Sequence, residues 1–152
     1  MEENSHADRS ESAGTEVRSD LVRYMTTAAF ADYSDIYSDG VETPPGRRWL
    51  HTAGQVALRP DGSVPADFAE QCEQALRNLL AVLDEARMSP RDIVKLTCYF
   101  VGAQDPEVLY GARRRLLEGA APAATLIVVQ ALASPELLVE IEAVAAAIPS
   151  TP

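Results

Sequence analysis

Residues 93–101, with the sequence IVKLTCYFV, are the stretch that most restricts how this chain can fold. They are dense in β-branched and aromatic residues and apolar at nearly every position. That pattern is typical of a central strand covered on both faces. A second strongly apolar segment, residues 124–132 (ATLIVVQAL), is predicted to be another strand. Neither segment has one face polar enough to be left in water.

Two helices are predicted around the first of these strands. The segment Pro65–Arg87 has an apolar stripe at helical spacing. Asp105 and Pro106 suit the N-cap and first turn of a second helix, which is expected to run to about Glu118 and end at Gly119. The arginines of this second helix, residues 113–115, are interpreted as a solvated face from which one side chain could lean into a neighbouring site.

The remaining strands give the order β-β-β-α-β-α-β-β, with strands predicted at Leu21–Thr27, Trp49–Val56 and Leu137–Ala145. The last is expected to pair antiparallel with residues 124–132 through a short turn at Ala133–Glu136. Two helices on one face of a sheet make an α+β two-layer sandwich. The second face is then expected to pack against other copies of the chain, with clefts between subunits as the natural ligand sites.

Composition narrows the partners and the compartment. The 152 residues are 47% hydrophobic, enough for one domain with a core, and carry a net charge of −10. That charge argues against nucleic acid and anionic membranes as partners. Residues 1–20 are polar and acidic and are predicted to be a disordered tail; 21–148 form the domain and 149–152 a C-terminal tail. The absence of a leader-like segment favours the cytoplasm.

No metal or cofactor is expected. Cys72 and Cys98 lie within apolar periodic segments and are interpreted as core residues. They form no CxxC or Cys/His spacing typical of zinc, and His6 and His51 do not form a metal-ligand pair.

Glu140 and Glu142 are two carboxylates within the apolar last strand. By alternation they share one face, opposite Val139, Ile141 and Ala143. Two interpretations stay open: a strand face in water, or a site, because burying a carboxylate without a partner is costly. Two neighbouring carboxylates would suit general acid–base chemistry.

From about Tyr37 onward the chain resembles the RidA/YjgF family of reactive-intermediate deaminases. The resemblance rests on HTAGQ at residues 51–55, AEQCEQALRNLLAVLDEA at 69–86, SPRDIVKLTCYFV at 89–101, Pro122-Ala123, and VEIEA at 139–143. It implies a chorismate-mutase-like fold, a homotrimer with ligand sites between subunits, and cofactor-free hydrolysis of enamines and imines such as 2-aminoacrylate. In that family an arginine holds the substrate carboxylate, and a glutamate of the last strand, here Glu140, orients or activates water.

Two positions depart from the family pattern. Ala124 stands where the deaminases have an arginine after Pro-Ala, and Ala53 replaces the serine of Ser-Gly-Gln. A bidentate charge pair contributes about 1.5–3 kcal/mol. The site is therefore expected to be wider and less positive, and to prefer a larger, neutral or less acidic ligand.

The candidate site residues are thus of two kinds. Glu140 is the candidate acid–base group, and His51 a candidate proton shuttle whose alternative is a structural role. The candidate binding residues are Tyr37 (or Tyr33), Ala53, Gly54, Tyr110, Arg113, Ala124, Thr125 and Glu142. Arg113 is the residue best placed to replace the missing arginine from another element.

Three functions are considered. The first is a RidA-like enzyme acting on a reactive imine or enamine, as a specialised secondary-metabolic hydrolase, tautomerase or cyclase. The second is a non-catalytic trimer that binds a metabolite or a partner. The third is a structural scaffold, for which no residue offers positive support.

Overall fold

The computed structural model describes residues 22–28 and 33–149; the predicted N-terminal tail lies outside them, as do residues 150–152. The elements are β1 (Arg23–Met25), β2 (Gly40–Glu42), β3 (Arg48–His51), β4 (Gln55–Val56), α1 (Phe68–Glu85), a 3₁₀ turn (Pro90–Asp92), β5 (Ile93–Val101), α2 (Pro106–Leu116), β6 (Ala123–Val129) and β7 (Val139–Ala147). The predicted α+β class and both helices are confirmed, with four short strands before α1 instead of three.

The helix starts follow the predicted chemistry. The Asp67 carboxylate accepts a hydrogen bond from the backbone N–H of Glu70 and caps α1. Asp105 caps α2 in the same way through Glu107, with Pro106 in the first turn.

The main sheet has the strand order β3-β7-β5-β6, and β4 continues the pairing along β7. β7 is antiparallel to β5, whereas β6 runs parallel to β5. The predicted pairing of the last strand with residues 124–132 is therefore wrong. Because α2 carries the chain back along the sheet, β6 joins β5 as a parallel edge strand. Residues 130–138 then cross to the far side of β5, where Val101 N–H donates to the Leu138 carbonyl (3.0 Å).

The strand predicted at Trp49–Val56 is interrupted by a bulge. His51 pairs with Val144 and Gln55 with Ile141, so three residues, 52–54, face two of β7. The Thr52 hydroxyl accepts a hydrogen bond from Ala143 N–H (3.0 Å), which fixes the extra residue. Ala53 consequently does not continue the alternation of β3, although a strand period of two through residues 49–56 would put it on one face with His51.

Both helices cover one face of the sheet and form the core there. Buried side chains of β5 and β7 point toward buried leucines of both helices, and Phe68 packs edge-on against Phe100 at 5.0 Å. Members of this core include Leu76, Leu79, Leu83, Leu96, Phe100, Leu109, Val139 and Ile141.

The opposite face, here called the outer face, is covered by neither α1 nor α2. The polar residues of β5, Lys95 and Thr97, point to this side together with Tyr99, and all three are half-buried. Trp49 and Ile127 lie on the same side and are 49% and 40% exposed. A mixture of exposed apolar and half-buried polar groups is typical of a surface that a partner covers. Coverage by other copies stays a prediction.

No helix within residues 22–28 and 33–149 is both long enough and apolar enough to cross a bilayer.

Candidate functional site

Glu140 lies on the outer face of β7, opposite Val56 of β4 and Tyr99 of β5. It is half-buried, and its carboxyl group lies directly over Gly54. A Cβ built on residue 54 would be 2.6 Å from Glu140 Cδ, which no real side chain tolerates. The bulge at 52–54 and the glycine within it therefore make the space that the Glu140 side chain occupies.

Glu142, one step along the same face, lies in a small cavity of about 130 Å³ together with His51. The Tyr99 hydroxyl donates a hydrogen bond to Glu142 Oε1 (3.2 Å). Partial burial and this hydrogen bond raise the pKa of Tyr99 above its ordinary value. Lys95, the single lysine of the chain, also lines this cavity, and its ammonium donates to Thr125 Oγ1. Sequence reasoning missed Lys95, although its place at an outward position of β5 could have indicated it.

A second, larger cavity of about 340 Å³ lies between α2 and the edge strand β6. Five of the predicted binding residues line it: Tyr37, Tyr110, Arg113, Ala124 and Thr125. Five others that line it were not predicted as site residues: Ser38, Asp39, Cys98, Leu109 and Leu126. Ser38 and Asp39 follow Tyr37 directly, whereas Cys98 is predicted to be a core residue, Leu109 lies in the predicted second helix and Leu126 in a predicted strand.

The segment that carries Tyr37 is held against the start of β6. Ser38 is buried; its hydroxyl donates to the Ala121 carbonyl (2.7 Å) and its N–H to the Pro122 carbonyl (3.3 Å). Of the two tyrosines left open by the sequence, Tyr37 lines the cavity. Tyr33 is 44% exposed and stacks on the Tyr37 ring at 6.0 Å.

Arg113 differs from its two neighbours on α2. Arg114 and Arg115 are exposed and form ion pairs, the former with Asp35 and Glu107. Arg113 is only 3% exposed and lines the larger cavity, so the prediction of a solvated face is wrong for this residue, which instead leaves that face as the alternative interpretation allowed. Its position on the buried side of α2, one residue after the buried Ala112, explains the difference.

The environment of Arg113 leaves its charge incompletely paired. Nη2 donates to the Ile36 carbonyl (2.5 Å), while Nε is buried and meets no acceptor in the described part of the chain. Burial lowers the pKa of the guanidinium from its usual value. Within residues 22–28 and 33–149 no carboxylate forms an ion pair with it.

The candidate residues therefore form two groups. The group around Tyr37, Arg113 and Ala124 lies on the helix side of β6, and the group around Glu140 lies on the outer face of β7. β5 separates the two strands, so a single chain does not bring Glu140 to the larger cavity. Among the described residues, no three His, Cys, Asp or Glu side chains gather in a way that could hold a metal ion.

Comparison with known proteins shows the family to which the chain is similar. The model described as endoribonuclease L-PSP matches residues 27–147. The 2-iminobutanoate/2-iminopropanoate deaminase of Escherichia coli (strain K12) is 40% identical over 55 residues, which are 36% of this chain and 43% of that protein. The match thus spans less than half of the deaminase.

Solved structures cover more of the chain. A conserved Rid-family protein of unknown function from Yersinia pestis is 37% identical, with a TM-score of 0.73, and the match covers 82% of this chain and 97% of that one. E. coli TdcF, solved with bound serine, is 28% identical with a TM-score of 0.61, covering 75% and 88%. With the family model matching most of its length, the chain belongs to the RidA/YjgF family, the endoribonuclease L-PSP family of the matching model.

Proposed function

We propose that this protein is a cytoplasmic homotrimer that acts on a small reactive imine or enamine in clefts between its subunits. One observation carries the proposal: the candidate residues form two separate half-sites. Arg113, Tyr37 and Ala124 line one cavity at an edge strand, and Glu140 lies on an uncovered sheet face. In a cyclic trimer, the first group of one subunit would face the second group of its neighbour.

The uncovered face supports the assembly. Trp49 and Ile127 together expose a substantial apolar area beside half-buried polar groups. Covering such side chains contributes about 25 cal/mol per Å² of apolar surface. The cleft so formed would enclose Glu140. If this strand face were instead left in water, Glu140 would be solvated and would need no cleft.

The chemistry proposed is hydrolysis of a C=N bond. Water adds to the imine carbon while Glu140 accepts one of its protons, and the imine nitrogen takes up a proton. The carbinolamine nitrogen then takes the proton held by Glu140, and the C–N bond breaks to release ammonia as the hydroxyl loses its proton and the carbonyl forms. An enamine first takes a proton at carbon and loses one from nitrogen, which gives the imine. His51 would relay protons through the group that contains Glu142.

The substrate is proposed to be a specialised one, from secondary metabolism, instead of 2-aminoacrylate. Ala124 and Ala53 remove an arginine and a hydroxyl that the resemblance places in deaminase sites. The same framework would also serve a tautomerase or cyclase, since both need an acid–base group beside a small ligand.

A non-catalytic trimer that binds a metabolite is the second candidate. The same two alanines favour it, because they remove groups that would hold the substrate and water. Saturable binding without turnover of any imine would distinguish this function from catalysis.

The test is ammonia release from a panel of imino acids generated in situ by an amino acid oxidase. We expect little turnover of 2-iminopropanoate, faster turnover of larger imines, and a decrease of about 10²–10⁴-fold in Glu140→Gln. Glu85→Gln, a change on the exposed side of α1, is the matched control. An unchanged rate in Glu140→Gln would remove Glu140 from the reaction.

A further inference from the structure

The buried charge of Arg113 has no anion to balance it among the described residues. Its guanidinium has five N–H donors, and the single protein acceptor in the described residues is the Ile36 carbonyl. Nε is buried, and no acceptor within residues 22–28 and 33–149 reaches it. Burying a cation is costly unless it is paired, so an arrangement of this kind indicates a missing anionic partner.

The space beside Arg113 can hold that partner. The cavity of about 340 Å³ is within the size range of small-molecule sites, about 300–1,000 Å³. Tyr37 and Tyr110 line it with aromatic surface, and Ala124 contributes only a methyl group from β6. A longer residue at position 124 would fill part of this volume.

The charges around the cavity limit the kind of anion. Among the described residues that line it, Arg113 is the cation and Asp39 is the carboxylate, whose Oδ2 accepts a hydrogen bond from Thr27 N–H. One guanidinium near one carboxylate disfavours a dianion such as phosphate. The planar fork of arginine instead matches a single carboxylate.

We infer that Arg113, projecting from α2, is the anion-recognition residue of this cavity and that the ligand carries one carboxylate group. The inference rests on the proposed function for the identity of the cleft, and it narrows the substrate to an imine or enamine of a carboxylic acid. The cavity thereby keeps a cation despite Ala124, which revises the expectation of a neutral ligand. The carboxylate is held from the helix wall instead of from β6.

The first experiment measures binding of pyruvate by calorimetry, with pyruvamide and inorganic phosphate as the other two probes. Wild-type protein is expected to bind pyruvate saturably, and Arg113→Met to bind it about 10- to 100-fold more weakly. Arg114→Met, a change on the exposed side of the same helix, is expected to bind as wild type. Equal binding of pyruvamide, equal or tighter binding of phosphate, or no effect of Arg113→Met would overturn the inference.

A second experiment separates recognition from a structural role, because Arg113 also holds the Ile36 carbonyl. Ala124→Arg in the Arg113→Met background puts a guanidinium on the opposite wall of the same cavity. Recovery of pyruvate binding to within a few-fold of wild type supports recognition. A loss of binding that this second arginine leaves unchanged contradicts it.

A third variant keeps Arg113 and tests the cavity even where Arg113→Met fails to fold. Ala124→Glu places a carboxylate opposite Arg113 and is expected to abolish pyruvate binding, whereas Ala124→Gln, of equal size, reduces it less. Equal effects of the two variants would contradict the inference.

Imine turnover with an unchanged KM in Arg113→Met would also overturn it while leaving the proposed function intact. If Arg113→Met loses pyruvate binding but the wild-type protein turns over no imine, the inference about Arg113 holds and the proposed function fails.

Discussion

Gly54 and Glu140 occupy one space: the carboxyl group of Glu140 lies where the side chain of any residue at position 54 would begin. The bulge at residues 52–54 lies opposite Glu142 and Ala143 of β7, directly before Gln55 and Val56 pair with Ile141 and Glu140. The glycine is thus explained by proximity to a carboxylate, since no positive φ angle is needed there.

Gly54→Ala is expected to lower activity far more than stability. The atoms that the new methyl group meets are the far end of a flexible side chain, so Glu140 can rotate away at a cost of about 1 kcal/mol or less. Its carboxylate would then leave the position proposed for water activation, and turnover or ligand affinity should decrease about 10- to 100-fold. Thermal unfolding and imine turnover on the same preparation measure the two effects.

Gly111→Ala is the control for this change. A Cβ at position 111 would be in ordinary contact, 3.5 Å from Arg115 Nη1, and alanine favours a helix interior. A large loss of stability in Gly54→Ala, with activity per folded molecule unchanged, would contradict the explanation.

Gln71 connects α1 to the chain that enters β7. It is fully buried; its amide nitrogen donates to the carbonyls of Pro65 and Glu136, and its carbonyl accepts from Leu138 N–H, each at 2.8 Å. Gln71→Leu takes the partner from three backbone groups, one buried and two partly buried, and we expect a loss of about 2–5 kcal/mol in the free energy of unfolding. Urea denaturation measures it.

Gln74→Leu provides the comparison, because Gln74 is half-buried and donates to Asn78 of the next helical turn. We expect it to cost about 1 kcal/mol or less. Similar losses in the two variants would mean that the hydrogen bonds of Gln71 contribute no more to the free energy of unfolding than that of Gln74.

Ile127→Arg is expected to prevent assembly. The side chain lies on the outer face, is 40% exposed in the single chain, and an arginine there would place a charge in the proposed apolar interface. Sedimentation or light scattering should show monomers for the variant and the proposed trimer for the wild type. Leu58→Arg changes a residue of similar exposure outside the strands of the sheet and should still assemble. A trimeric Ile127→Arg variant would place the interface elsewhere.

Local chemistry made much of the fold predictable. Both helix starts follow from Asp67 and Asp105, and the core strand from the apolar run of β5. The partner of β7 could not be obtained in this way, because strand pairing depends on where a crossover helix returns the chain. A short turn before β7 suggests a hairpin with β6, yet residues 130–138 pass beyond β5.

The strand face on which a candidate residue lies was predictable in part, but the arrangement of the candidate residues was not. Alternation correctly put Glu140 and Glu142 on one face, since the pleat has a period of two. The bulge that brings Gly54 to Glu140 depends on one extra residue, which hydrophobic pattern does not reveal. Nor does a run of three arginines show which one is buried, because that is decided by the packing of α2 against residues 33–38.

Cys72 and Cys98 should be unreactive in the folded protein and should make its stability depend on pH. Burial raises the pKa of Cys72 to about 12 and that of Cys98 to about 11, so both remain thiols at neutral pH, and the thiolate is the reactive form. Ellman's reagent at pH 8 is expected to modify neither residue until the chain unfolds. Rapid modification of the native protein would contradict their burial.

The sign of the pH effect follows from these raised pKa values. Below about pH 9 the thiols are protonated in both the folded and the unfolded chain, so their full contribution to the free energy of unfolding is present there. Above it the unfolded thiols ionise first, so the free energy of unfolding falls as the pH rises toward 11. Each thiol that is ionised only in the unfolded chain lowers it by about 1.4 kcal/mol per pH unit.

The measurement compares wild type with the variant carrying Cys72→Ala and Cys98→Ala, because tyrosines such as Tyr99 act in the same direction. Denaturation curves recorded between pH 8 and pH 11 give the free energy of unfolding of each protein. It should decrease more steeply with pH in the wild type, since the variant has lost both thiols. Parallel pH dependences would exclude the thiols as the cause.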